Sequence, residues 1–180
     1  MARVDYPDPA GLEPATQELL AKLPPLNVFR MMAGSERLLK AFVDLGNQIL
    51  FRSALDPVLR ELAIIRVGVL SGASYEVHQH DRIARGIGVP DDVIAALRVG
   101  PDHPVFDDRQ RLVLRFTDDV VANVRAGDET FGGLVGTLSL REVQELTVTI
   151  GYYMLVSRFL ETFGIEIEAN DVGIDVSGGG

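Results

Sequence analysis

From residue 36 to residue 163, apolar residues recur at the three- and four-residue spacing of a helix face, and no stretch shows the strict alternation of a half-buried strand. An irregular, proline-marked arm over 1–14 leads into a short helix expected at about 15–23, bounded by Pro24–Pro25. Ser35 is placed to cap a helix from Glu36 to about Phe51, with Leu38, Leu39, Phe42, Leu45, Ile49 and Leu50 on one face. Asp56–Pro57 reads as an N-cap followed by a first-turn proline and starts a helix to about Ser71, which Gly72 interrupts. A helix over about Ser74–Arg85 ends at Gly86 and Gly88, and Pro90 with Asp91 and Asp92 opens a short one to Arg98. After a turn at 100–104, Asp107/Asp108 begin a long helix to about Arg125, with Leu112, Val113, Phe116, Val120 and Val121 inward. A short helix follows at 128–136. Ser139 and Glu142 form a capping-box pattern that opens a helix over 139–163, stopped at Gly164. That last helix is apolar nearly all round, which predicts a central helix or one that also faces another subunit. One all-α domain follows.

The composition is that of an ordinary globular domain: 180 residues, 47% hydrophobic, 24% charged, no Trp. The formal net charge of −9 argues against general nucleic-acid binding, which needs a basic footprint, and against docking on anionic membranes. No apolar run is long enough for a spanning helix, and MARVDYPDPAG lacks the apolar core of a signal peptide, so a cytoplasmic location is expected. The chain has no cysteine, which excludes disulfides, thiolate nucleophiles, CxxC redox couples and Cys-ligated zinc.

The segment LDPVLRELAIIRVGVLSGASYEVHQHDRIARGIG, 55–88, carries the candidate chemistry. Glu76 and His80 stand at i and i+4, one turn apart on one helix face. A carboxylate beside an imidazole raises the His pKa and fixes its tautomer, which suits a general acid/base. Glu61 lies in the otherwise apolar stretch LAIIRVGVL and can approach the pair if the two helices pack antiparallel. Arg66, a charge in that same apolar helix, is the preferred cation for an anionic substrate, ahead of Arg82. His78 points roughly 160° away from His80 on a helical wheel, so the two do not chelate one metal. Glu61, Glu76 and His80 could form a facial metal set. Phosphate-binding glycine loops are absent.

The frame resembles the carboxymuconolactone decarboxylase / AhpD-like family. AhpD-type peroxidases carry a glutamate, then a C-x-x-C-x-x-x-H motif beginning twelve residues on, with Tyr before the second Cys. Here Glu61, Tyr75 and His80 match, while Ala73 and Glu76 stand where the two cysteines would be. LDPVLRELAIIRVG and YYMLVSRFLETFGIEIE are also similar to that family, and the likeness spans about residues 30–168. It implies an AhpD-like helical bundle with a central apolar C-terminal helix, divided as an N-terminal arm and short helix (1–30), the carboxymuconolactone decarboxylase-like domain (31–168) and a flexible tail (169–180). It further implies trimers or hexamers, and decarboxylation or related proton transfer on a small carboxylated or lactone substrate with no metal and no organic cofactor. His80, Glu76 and Glu61 are then the catalytic candidates, with Arg66 and Tyr75 contacting substrate. Thiol peroxidase activity is excluded, since attack and resolution need a cysteine pair.

Bland readings stand beside these. An i,i+4 Glu–His pair is common on surface helices, Glu61 can be a solvated first-turn carboxylate, and Tyr75, Tyr152 and Tyr153 can simply be core aromatics. The competing function is a non-catalytic helical oligomer or binding module that keeps the fold. Convergence of Glu61, Glu76 and His80 in one cleft decides between them.

Overall fold

The structure, a computed structural model, describes residues 2–169 and residue 174. Among the described residues there is no strand. A 3₁₀ turn (Pro9–Gly11) precedes nine helices: α1 (Pro14–Lys22), α2 (Asn27–Met32), α3 (Glu36–Arg52), α4 (Pro57–Ser71), α5 (Ser74–Gly86), α6 (Asp91–Ala96), α7 (Asp108–Asn123), α8 (Asp128–Thr137) and α9 (Leu140–Phe163). Helix α2, six residues long, was not anticipated; it is too short to show a period, and burial of Val28, Met31 and Met32 with hydrogen bonds from Asn27 to Glu166 and Glu168 holds it. The flexible tail expected over 169–180 lies, apart from Ala169 and Ile174, outside the described residues.

Helix α4 organises the molecule and packs on α5, α7 and α9. Asp56 accepts hydrogen bonds from the Val58 and Leu59 amides, Pro57 presets the first turn, and Gly72 closes the helix in the left-handed conformation at φ 67°. Every residue from Leu59 to Gly68 is buried. Leu59, Ala63, Ile64 and Val67 join the main core with α9, whereas Leu62 and Ile65 join a second core with Ala84, Ile94, Leu97 and Phe106. A helix with apolar residues on all sides can satisfy them only by taking neighbours on all sides. A Cβ at Gly68 would come within 3.0 Å of the Val77 side chain, so glycine there lets α4 and α5 approach closely.

Helix α9 is central too, touching α3, α4, α5, α7 and α8. It is capped by the reciprocal Ser139/Glu142 box. One strip of it stays in solvent, with Val148 48% and Leu155 52% exposed. On α3, Leu38 and Leu45 also face outward rather than into the core with Leu39 and Ile49. Ser35 precedes α3 but makes no side-chain cap hydrogen bond. No helix among the described residues is long and apolar enough to cross a membrane.

Glu145 of α9 clamps the turn that feeds α4. Its Oε2 accepts from Ser53 Oγ (2.7 Å) and from the Ala54 and Leu55 amides (2.6 and 3.1 Å), while Oε1 accepts from Arg141 Nε (2.8 Å). Burial pushes its pKa up, but the hydrogen bonds from Ser53, Arg141 and the two amides prevail and hold it at about 2 against an ordinary 4.5. Because the folded value is depressed, this stabilisation is present above pH 4.5 and is lost as pH falls toward 2. Glu145→Gln is expected to cost about 1–3 kcal/mol at neutral pH. Denaturant titrations should show the gap to wild type closing between pH 4.5 and 2; a constant gap would contradict the clamp.

Candidate active site

Close packing of α4 on α5 brings Glu61 to His80. The imidazole Nδ1 lies 2.6 Å from Glu61 Oε2, and Nε2 lies 3.1 Å from Glu76 Oε1. Glu61 is 0% exposed, His80 2% and Glu76 4%. Glu61 receives a further hydrogen bond from Arg60 Nε at 3.0 Å, so the buried row reads Arg60, Glu61, His80, Glu76, alternating in sign. The edge of the imidazole meets the Tyr153 ring of α9 at a centroid distance of 4.8 Å, and Tyr153 in turn meets Tyr152 edge-on at 5.2 Å.

Burial alone would push the His80 pKa down. The Glu61 carboxylate beside Nδ1, and Glu76 beside Nε2, overcome it and raise the pKa from 6.5 to about 9. With an acceptor on each ring nitrogen, the imidazolium is the form that satisfies both contacts. Burial first, then the nearby carboxylates, push the Tyr153 phenol well above its ordinary value, so it stays protonated. Both ring nitrogens of His80 are occupied by carboxylates, which leaves neither open to a metal, and among the described residues no group of three or more potential ligands is disposed to hold one.

Beside this row a cavity of about 450 Å³ opens, lined by Glu76, His80, Gln79, Tyr75, Tyr152 and Tyr153 at its polar end. The remaining wall is largely apolar, from Leu26, Phe29, Phe42, Leu50, Phe51 and Val156. Its size and lining are those of a small-molecule site. Glu61 does not line it; Glu61 grips the imidazole from behind, while Glu76 and the imidazole both border the cavity.

Three of the expected residues, Glu61, Glu76 and His80, therefore converge. The nearer, more buried companion of the imidazole is Glu61, a contact between helices, rather than its i,i+4 neighbour Glu76. Tyr75 lines the cavity, but its hydroxyl donates to Glu168 Oε1 at 2.5 Å. Arg66 does not join the site. Its guanidinium makes a bidentate pair with Asp118, both contacts 2.7 Å, and donates to the Leu97 carbonyl at 2.8 Å, tying α4 to α7 and to the residue after α6. A charge in an apolar helix had a structural partner, and no cation beyond it was needed to explain it. The reading of the residues missed Arg60, Gln79, Lys22 and Glu168. Glu168 accepts from Tyr75, from Gln79 Nε2 at 2.7 Å and from the Asn27 amide at 2.6 Å. These are contacts across the chain that no local spacing announces.

The fold and site can now be set beside known proteins. A protein of unknown function from Agrobacterium tumefaciens, described in connection with AhpD and antioxidant defence, is 25% identical over 77% of this chain and 96% of its own, with a TM-score of 0.72. An uncharacterised peroxidase-related protein with an alkylhydroperoxidase AhpD core, from Ralstonia eutropha JMP134, is 20% identical over 93% of each chain, with a TM-score of 0.79. The debrominase Bmp8, in complex with 2,3,4-tribromopyrrole, is 20% identical over 85% of this chain and 81% of its own, with a TM-score of 0.72. No curated protein matches significantly. The architecture is thus an AhpD-like all-α fold. Residues 36–119 match the carboxymuconolactone decarboxylase family, and the chain carries no cysteine.

The raised pKa gives a stability signature. The contribution of protonated His80 is full below pH 6.5 and disappears as pH rises through about 9. NMR titration of the wild type should place the His80 transition near 9, and Glu61→Gln should move it down by at least about one unit, since one unit corresponds to about 1.4 kcal/mol of preference for the charged form. A transition at 6.5 in both proteins would contradict the buried row.

Proposed function

We propose that this protein is a cofactor-free acid/base enzyme of the lyase or isomerase type, acting on a small carboxylated or lactone substrate. The observation that carries the reading is a buried imidazole gripped on both nitrogens by carboxylates, one of which, Glu76, opens into an apolar cavity. Glu61, backed by Arg60, fixes the ring and balances its charge. His80 stores the proton at Nε2. Glu76 delivers it to substrate or takes it back. In the decarboxylation of a β,γ-unsaturated acid, the C–C bond to the carboxylate breaks, carbon dioxide leaves, and the electron pair enters the conjugated system. The Nε2 proton of His80 passes to the Glu76 carboxylate and from it to the carbon, forming the new C–H bond, and solvent restores the imidazolium. In isomerisation the same carboxylate removes a proton and returns it at another carbon. The small ring ligand bound by the debrominase, a protein of the same fold, supports a compact cyclic substrate.

A homo-oligomer, trimer or hexamer, is supported by the outward apolar strip. Leu38 and Leu45 lie seven residues apart on α3, Val148 and Leu155 seven apart on α9, and Leu45 and Val148 border one shallow groove.

The test is a panel of unsaturated lactone acids incubated in D₂O, with carbon dioxide release and deuterium incorporation followed by NMR. Wild type should turn over at least one member. Glu76→Gln and His80→Gln should each lose about 10²–10⁴-fold with helical circular dichroism unchanged. Undiminished turnover in both variants would end the reading.

A further inference from the structure

We propose that the cavity selects a monoanionic, otherwise apolar molecule whose acidic group is held by Lys22 at the mouth while its body lies along the aromatic wall. This refines the acid/base reading above, on which it relies for the direction in which the reactive end of the ligand points.

The sequence has two lysines, Lys22 and Lys40. Lys40 pairs with Asp44 at 2.6 Å on the surface of α3. Lys22, in the last turn of α1, has no ion-pair or hydrogen-bond partner among the described residues, and it lines the cavity. Among the described residues no arginine lines the cavity, and the cationic ring of His80 is already matched by Glu61 and Glu76. Among the described residues the electrostatic layout is therefore polar from end to end: an ammonium without a partner at the mouth, Glu76 at the floor, and between them Phe29, Phe42, Leu50, Phe51 and Val156. One anionic group is attracted at the mouth, and a second, pushed toward the floor, meets a carboxylate with no free cation beside it. An apolar body gains by leaving water along the intervening wall. The direction matters chemically, because an acid anchored at Lys22 presents its far end to Glu76, as the isomerisation requires; the anchoring carboxylate is not the group that is lost.

The alternative role for Lys22 is completion of the C-terminal dipole of α1. That role affects stability and is blind to the charge of a ligand. A matched pair of fluorescent probes separates the two. 8-Anilinonaphthalene-1-sulfonate is an apolar monoanion, and N-phenyl-1-naphthylamine is its uncharged skeleton. Lys22→Glu is expected to weaken the sulfonate at least about fivefold while the neutral probe changes less than about twofold, the size expected for reversing one exposed charge contact. The discrimination should shrink as salt rises. Asn47→Trp, at an exposed position of α3 that borders the cavity, should weaken both probes together. In competition, 4-phenylbutyrate should displace the neutral probe from wild type and the dianion adipate should not. Equal effects of Lys22→Glu on both probes, probe binding indifferent to Asn47→Trp, or adipate competing as well as phenylbutyrate would each overturn the proposal. Loss of the discrimination with proton exchange intact sinks the ligand class alone. Turnover that survives Glu76→Gln, with the discrimination intact, sinks the chemistry alone.

Discussion

The contact between Glu61 Oε2 and His80 Nδ1 is the constraint around which this protein is arranged. Two ionisable groups are held there with almost no access to water, and taking charges out of water costs several kcal/mol per ion unless partners and hydrogen bonds offset it. Arg60 on one side and Glu76 on the other supply the offset, so the buried row carries alternating charges. The arrangement demands that α4 and α5 lie close and in a fixed register. Gly68 permits the distance, Gly72 permits the turn between the helices, and the Glu145 clamp holds the segment entering α4. The second core under Leu62 and Ile65 pins the opposite side of α4.

That rigidity has a chemical consequence. A histidine with one free nitrogen near neutral pH exchanges its proton with whatever is nearest. His80 has none free: its pKa is lifted to about 9, and its proton is directed at a single acceptor on the cavity side. In the proposed chemistry the group that exchanges a proton with the ligand is Glu76, with the imidazolium beside it as a reserve. Ala73 and the Glu76 carboxylate occupy the positions of the two cysteines in the AhpD-type motif, so no redox pair stands there and a carboxylate is left one turn from His80. The helical fold is common to both arrangements, and the side chains at these few positions decide the chemistry.

The helices, their caps and their order were legible in the chain because those signals are local. Asp56–Pro57, Gly72, the Ser139/Glu142 box and Gly164 all appear in the structure at the positions their residue types imply. Helix α2 escaped because six residues carry too little periodicity. The Glu61, Glu76 and His80 set was legible because the family frame ties one helix to the next. Arg66 misled because a buried charge announces that it has a partner without saying which, and its partner, Asp118, is contributed by α7. Lys22 and Glu168 were invisible because α1 and the segment after α9 are far along the chain from α5.

What a chain of this composition decides alone is therefore the all-α class, the absence of thiol chemistry and the pairing of carboxylate with imidazole along one helix. Those follow from residue type and spacing within a few turns. Which carboxylate grips the ring, which one meets the cavity, where Arg66 is spent and which cation guards the mouth were decided by tertiary packing. Such contacts join side chains tens of residues apart, and their geometry is set by how apolar helix faces come together rather than by any local preference of the backbone.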